Sequence, residues 1–241
     1  MTSAVKKIYP DQSSLIRHLA EWLTARIENS SGPFALALSG GSTPRPLYAL
    51  LATPDYARRI DWARLHLFWG DERCVPHDHP DSNYRMVKQA LIAHVPLPQA
   101  NVHAVQTGLT PQAAARDYAL RLQAYYGAEM IDPARPLFDV NLLGMGDDGH
   151  TASLFPGTAA LTEEKAWVVA VEGVKPEPRI SLTFPVLGSA AAVVFLVAGA
   201  AKSKVVEEVL NGDLRFPAAQ VQTDGDLLWF MDEAAGGKPC V

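Results

Sequence analysis

Short apolar runs rich in β-branched residues alternate along the chain with stretches whose apolar positions recur at helical spacing. The runs are Phe34–Leu38 (FALAL), Leu65–Trp69 (LHLFW), Phe138–Leu143 (FDVNLL), Trp167–Val171 (WVVAV), Arg179–Phe184 (RISLTF), Ala192–Gly199 (AVVFLVAG) and Leu227–Met231 (LLWFM). Several are apolar almost throughout rather than at every second position, which predicts strands buried on both faces of a parallel sheet. Between them lie the helices. Leu15, Leu19, Trp22, Leu23 and Ile27 fall on one stripe of a helix over Asp11–Asn29. Asp81 or Ser82 can cap a helix over Asn83–Val95. Thr110 with Pro111 opens another that Gly127 closes, and Ala200–Asn211 is a further helix with Gly212 beyond its end. Strand–helix alternation of this kind predicts an α/β fold with a mostly parallel sheet covered by helices. The proline-rich patches at 76–80, 96–98 and 176–178 read as loops, so residues 1–241 are expected to form a single domain.

Composition narrows the function classes. With 241 residues, 48% of them hydrophobic, the chain can bury a full core. A net charge of -5 argues against general affinity for nucleic acid or an anionic membrane, so an anionic ligand needs a local cluster of Lys and Arg. The opening residues lack the apolar centre of a signal peptide, and no run is long enough to span a bilayer. A cytoplasmic protein, monomeric or weakly homo-oligomeric, is expected. Cys74 and Cys240 are too few for a disulfide framework and have no metal-ligand spacing.

Ligands of an open parallel sheet bind where strand carboxyl ends and helix N-termini converge. Four segments fall at that edge: Ser39–Thr43, Gly70–Arg73, Gly144–His150 and Gly199–Lys202. In SGGSTP (Ser39–Pro44), consecutive glycines let backbone N–H groups approach an anion while Ser42 and Thr43 add hydroxyls; a tight turn with a Ser or Thr cap is the plain alternative. SGGSTP itself fits neither GxxxxGK[ST] nor GxGxxG, so this turn is not read as a nucleotide-binding loop. Lys202 lies in the first turn of its helix, where the dipole disfavours a cation unless an anion joins it. In GDER, Asp71 could serve as a base or hold Arg73, and Arg73 could clamp a phosphate or polarise a carbonyl; a screened surface pair is the alternative. Cys74 has no evident partner base and reads as a small filler. In GMGDDGHTASLFPGT (Gly144–Thr158), the N–H groups of Gly144, Gly146 and Gly149 could form an oxyanion hole. His150 can exchange protons near neutral pH, with Asp148 or Asp147 orienting its ring. A capping Asp beside a structural His is the alternative. Arg179 opens its strand after GVKPEP and could reach the crevice.

SGGSTP, GDER, GMGDDGHTASLFPGT and RISLTFPVL, in this order, resemble the lactonase branch of the glucosamine-6-phosphate isomerase/6-phosphogluconolactonase family, over nearly the whole chain. In the deaminase branch the histidine continues IAFNEP and the acidic motif reads DEY; here TASLFP (Thr151–Pro156) and DER stand instead. The resemblance implies a Rossmann-like three-layer α/β/α sandwich. It implies hydrolysis of 6-phospho-D-glucono-1,5-lactone, a step of the oxidative pentose phosphate pathway, with no organic cofactor and no metal. It also implies that Gly40, Gly41, Ser42, Thr43 and Lys202 hold the phosphate and that Arg73 and Arg179 contact the phosphate or the sugar-acid end. His150 would activate water with Asp148 in support. Asp71 matches the acid that takes a carbon proton in the deaminase, a step a lactonase lacks. An amino-sugar-phosphate deaminase or isomerase and a non-catalytic sugar-phosphate sensor are the competing readings.

Overall fold

The computed structural model describes residues 4–238; Cys240 lies outside them. In chain order the elements are β1 (Val5–Tyr9), α1 (Gln12–Glu28), β2 (Phe34–Leu38), α2 (Arg45–Leu51), α3 (Pro54–Ala57), β3 (Leu65–Trp69), β4 (Asp71–Arg73), α4 (Asn83–Ala90), β5 (Val102–His103), α5 (Pro111–Tyr126), β6 (Val140–Leu143), β7 (Val168–Val171), β8 (Arg179–Leu182), α6 (Phe184–Gly188), β9 (Ala192–Val197), α7 (Ser203–Leu210), α8 (Pro217–Gln220), β10 (Asp226–Asp232) and α9 (Glu233–Gly236). Seven strands, all parallel, form the main sheet in the order β1-β10-β9-β6-β2-β3-β5.

Both faces of this sheet are buried, as the unbroken apolar runs predict. In β9, Ala192, Val194 and Leu196 join the core that includes Leu15, Leu19 and Leu23 of α1. Val193, Phe195 and Val197 of the same strand enter the opposite core with Tyr118 and Leu122 of α5. One period-2 alternation therefore feeds two hydrophobic layers, and helices cover each face: a three-layer α/β/α sandwich. Among the described residues, no helix is long and apolar enough to cross a membrane.

The strand order fixes where a ligand can go. After β2 the chain steps outward to β3 and β5, whereas after β6 it steps the other way to β9 and β10. β2 and β6 are adjacent at this switch, so the loops leaving their carboxyl ends diverge and open a crevice. Two of the runs, Trp167–Val171 and Arg179–Phe184, depart from the simple parallel reading. β4, β8 and β7 form a separate antiparallel sheet. Gly70 is the pivot: its N–H bonds Leu38 O at 3.0 Å in the main sheet while its carbonyl accepts from Leu182 N at 3.0 Å. The chain thus passes from β3 to β4 through one residue that belongs to both sheets.

Local differences have local causes. The Arg179–Phe184 run ends as a strand at Leu182, because Thr183 is extended and Pro185 starts a short helix at Phe184. The helix expected over Asn83–Val95 stops at Ala90, where Leu91 leaves helical geometry (φ -134°), and resumes as a 3-10 turn at Ile92–His94. Ser82, not Asp81, supplies its cap by accepting from Arg85 N. β1, β5, α3, α8 and α9 are short elements that the apolar pattern does not announce.

At the outer edge of the sheet, His66 Nδ1 and His103 Nε2 meet at 3.1 Å, with His103 stacked on Phe68 and tilted against Tyr125. Burial, reinforced by His66 and Arg121, depresses the His103 pKa to about 4. An unfolded histidine titrates near 6.5, so between about 4 and 6.5 the unfolded chain binds the extra proton and stability falls as pH drops. His103→Gln is expected to flatten this acid-side loss, read as the difference in urea midpoint between pH 7 and pH 5.

Candidate active site

β2 delivers Ser39 to the crevice and the turn after it opens into α2. The Tyr48 hydroxyl clasps Ser39, accepting from its N–H at 3.1 Å and donating to its carbonyl at 2.7 Å. Gly41 has φ +97°, a conformation suited to glycine. Gly40 is required for a different reason: a Cβ there would lie 2.0 Å from Asn83 Oδ1. α2 is capped by Pro44 with no side-chain hydrogen bond. The cap alternative for the serine and threonine is therefore not realised, and the Ser42 and Thr43 hydroxyls are without a protein partner among the described residues.

β4 alternates as a strand must. Asp71 and Arg73 face one side, and Glu72, 1% exposed, faces the other. Glu72 accepts from Arg73 N (2.8 Å), Asn83 N (2.7 Å), Tyr84 N (2.7 Å) and Ser82 Oγ (3.2 Å), pinning the start of α4 to the strand. Asp71 does not pair with Arg73. Its carboxylate accepts from Ser153 Oγ at 2.6 Å and Asn83 Nδ2 at 3.3 Å. Arg73 instead donates to Asp81 O at 2.5 Å.

The register of the small sheet sets Arg73 directly opposite Arg179. Burial, followed by the Arg73 charge, lowers the Arg179 pKa. Glu177 approaches Arg179 only to 3.7 Å, and the Nε atoms of both arginines are buried without partners. Like charges directly opposite each other destabilise a sheet. An anion between the guanidinium groups would reverse that sign.

The loop after β6 holds the imidazole. Gly146 N–H bonds His150 O at 2.9 Å and Gly149 N–H bonds Gly146 O at 3.1 Å. These two N–H groups are consumed inside the turn, which corrects the expectation that they face an oxyanion. Of the three glycines only Gly149 uses a positive φ, +72°. Gly146 lies under the ring, since a Cβ there would be 2.0 Å from His150 Nδ1. Asp148 Oδ1 sits 2.5 Å from His150 Nδ1 and accepts from His150 N at 3.1 Å. Burial raises the Asp148 pKa, but the bonds from the His150 side chain and backbone outweigh it and hold the carboxyl below its ordinary value. An ionised carboxylate only accepts, so in the neutral ring the proton sits on Nδ1 and the lone pair on Nε2. The ring packs on Phe155 at 4.5 Å between centroids. Asp147, the neighbouring acid, does not reach the ring; it forms an ion pair with Lys202.

Lys202 ends the 3-10 turn Ala200–Lys202 that precedes α7, and Gly199 N–H is anchored by Asp232 at 3.0 Å. Gly40 to Thr43, Asp71, Arg73, His150, Arg179 and Lys202 line one cleft of about 370 Å³. Asp148 reaches this cleft through His150. Asn83, Ser153, Phe155 and Lys175 line it too and were not foreseen. Ser153 and Phe155 lie within the TASLFP segment, and Asn83 follows the capping Ser82, so sequence position was the only hint of their place. Cys74 is half-buried, and burial pushes its thiol pKa up to about 11, which fits a filler. Among the described residues, no group of three His, Cys, Asp or Glu is placed to hold a metal ion.

The model for glucosamine-6-phosphate isomerases/6-phosphogluconolactonase matches residues 10–229. A 6-phosphogluconolactonase of Nostoc sp. is 40% identical over 240 residues, covering 96% of this chain and 97% of that protein. The 6-phosphogluconolactonase 3, chloroplastic, of Arabidopsis thaliana is 39% identical, with 96% of this chain and 74% of that protein covered. Among solved structures, the 6-phosphogluconolactonase from Trypanosoma brucei aligns with a TM-score of 0.82 at 30% identity, covering 98% of each chain. A monomeric glucosamine-6-phosphate deaminase shares the fold, with a TM-score of 0.78 at 19% identity over 97% of this chain and 100% of that one.

Proposed function

The chain belongs to the glucosamine-6-phosphate isomerase/6-phosphogluconolactonase family, and from that premise we propose that it hydrolyses 6-phospho-D-glucono-1,5-lactone to 6-phospho-D-gluconate. The observation that carries this reading is the His150–Asp148 pair with Nε2 free, set in the same cleft as four cations, Arg73, Lys175, Arg179 and Lys202, of which Arg73 and Lys175 have no carboxylate partner among the described residues. The phosphate lies on the Gly40–Thr43 turn and Lys202, where open hydroxyls and an ammonium meet. Arg73 and Arg179 face the lactone end.

The chemistry needs one base. His150 Nε2 takes a proton as water attacks C1, and the carbonyl electrons move onto oxygen, beside the arginines. The tetrahedral intermediate collapses, the C1–ring oxygen bond breaks, and the imidazolium returns its proton to the departing oxygen. Asp148 holds Nδ1–H throughout and stabilises the charged ring. Asp71, with both carboxylate oxygens accepting protein hydrogen bonds, serves as a fixed acceptor for substrate hydroxyls rather than as a base for carbon. This favours the lactonase over a deaminase. A charged sugar phosphate does not cross membranes, which supports a cytoplasmic place of action. Contributions to one cleft from Gly40 through Lys202 support a chain working as a single domain.

Freshly generated lactone tests the proposal, because it also opens spontaneously. The wild type is expected to raise the opening rate well above that background. Lys202→Ala is expected to raise KM about tenfold, the scale of a charge-assisted hydrogen bond, with kcat little changed. Turnover at the background rate would sink the hydrolase reading.

A further inference from the structure

We infer that Asp147 is a built-in competitor of the substrate: its carboxylate occupies Lys202 until a phosphate displaces it, and so it sets the affinity of the cleft for phosphorylated ligands. The inference rests on the proposed role of Lys202 as a phosphate contact. Its basis is the direct Asp147 Oδ1–Lys202 Nζ ion pair. Lys202 lines the cleft and is 21% exposed at its side chain, whereas the Asp147 side chain is 78% exposed. The ammonium is thus placed for a ligand, and the carboxylate reaches it from the rim.

Nothing else restrains either group. Among the described residues the Asp147 side chain has no other hydrogen bond or ion pair, and Lys202 Nζ has none besides Asp147. The backbone on both sides of Asp147, by contrast, is fixed by the Gly146 N–His150 O bond and by Asp148 on His150. Breaking the ion pair therefore swings one short side chain into solvent and leaves the turn under His150 in place. An exposed pair of this kind is a weak competitor, worth about 0.2–1 kcal/mol, or roughly 1.4- to 5-fold in affinity. A phosphate dianion that also meets the Ser42 and Thr43 hydroxyls outbids it. A ligand without phosphate gains nothing from Lys202 and leaves the pair intact.

Asp147→Asn tests this with three ligands: the phosphorylated lactone, unphosphorylated glucono-1,5-lactone, and inorganic phosphate as a competitive inhibitor. The expected result is a fall of about 1.4- to fivefold in KM for the phosphorylated lactone and in Ki for phosphate, smaller at high salt. The kcat/KM for the unphosphorylated lactone should stay the same. In a Lys202→Ala background the same substitution should change nothing, which separates competition for Lys202 from any effect on His150 three positions along the turn. An unchanged or higher KM in Asp147→Asn, with Lys202→Ala still raising it, overturns the inference alone. If Lys202→Ala leaves KM unaltered, the phosphate assignment of Lys202 falls and the inference falls with it.

Discussion

His150→Ala is expected to lower kcat by about 10²–10⁴-fold, the range a positioned general base supplies, while the protein melts as the wild type does. The side chain is 27% exposed and rests on a turn closed by backbone bonds that do not involve the ring, so its loss removes chemistry and leaves the scaffold. The His–Asp geometry makes a sharper companion. In Asp148→Asn the amide places a donor or a neutral acceptor against Nδ1, so the carboxylate no longer imposes the tautomer with a free Nε2. The ring stays in place but loses the fixed lone pair, and kcat should fall with KM nearly constant. Initial rates on fresh lactone, corrected for spontaneous opening, read both effects. Full activity in His150→Ala would remove the imidazole from the reaction.

The core strands were legible because β2, β6 and β9, in the middle of the main sheet, are buried on both faces along their whole length. The elements that were missed are those whose placement depends on partners. β5 has two residues and is held by pairing with β3 alone. β7 and β8 look like any strands in sequence, β4 is three charged residues read only as the exit of β3, and the pivot at Gly70 shows that all three lie outside the main sheet. The opposition of Arg73 and Arg179, 106 positions apart in the chain, is a property of that register and has no local signature. The oxyanion role of Gly146 and Gly149 failed for a related reason: glycine spacing tells where the backbone can turn, not whether the turn spends its own N–H groups. The acid beside His150 was readable only as Asp148 or Asp147; in the folded turn Asp148 bends back onto the ring while Asp147 reaches Lys202. The role of Asp71 turned on Ser153 and Asn83, neither adjacent to it in sequence.

Glu72 is the case where period-2 alternation held the answer. In GDER a strand must send Asp71 and Arg73 one way and Glu72 the other, so a carboxylate enters the interior. Burial raises its pKa, and the hydrogen bonds from Tyr84, Asn83 and Arg73 oppose that shift. Two of its donors, Asn83 N and Tyr84 N, are among the first N–H groups of α4, which have no partner inside the helix. Ser82 satisfies the next, Arg85 N. Glu72→Ala therefore strands two helix donors, Arg73 N and the Ser82 hydroxyl in one step. Each buried orphan costs about 1–3 kcal/mol, and partial access of water lowers the sum, so a loss of about 3–4 kcal/mol is expected. At about 2–4 °C per kcal/mol for a chain of this size, the melting temperature should fall by roughly 6–16 °C. Glu72→Gln should not rescue it, because an amide NH₂ set against either pair of donors meets N–H with N–H. The damage should reach the cleft as well, since Glu72 joins the strand carrying Arg73 to the helix carrying Asn83, and Asn83 in turn holds Asp71. Urea unfolding of both variants, beside KM for the phosphorylated lactone, measures the two consequences separately. Wild-type stability in Glu72→Ala would mean that water replaces all four bonds and that this carboxylate does not organise the site.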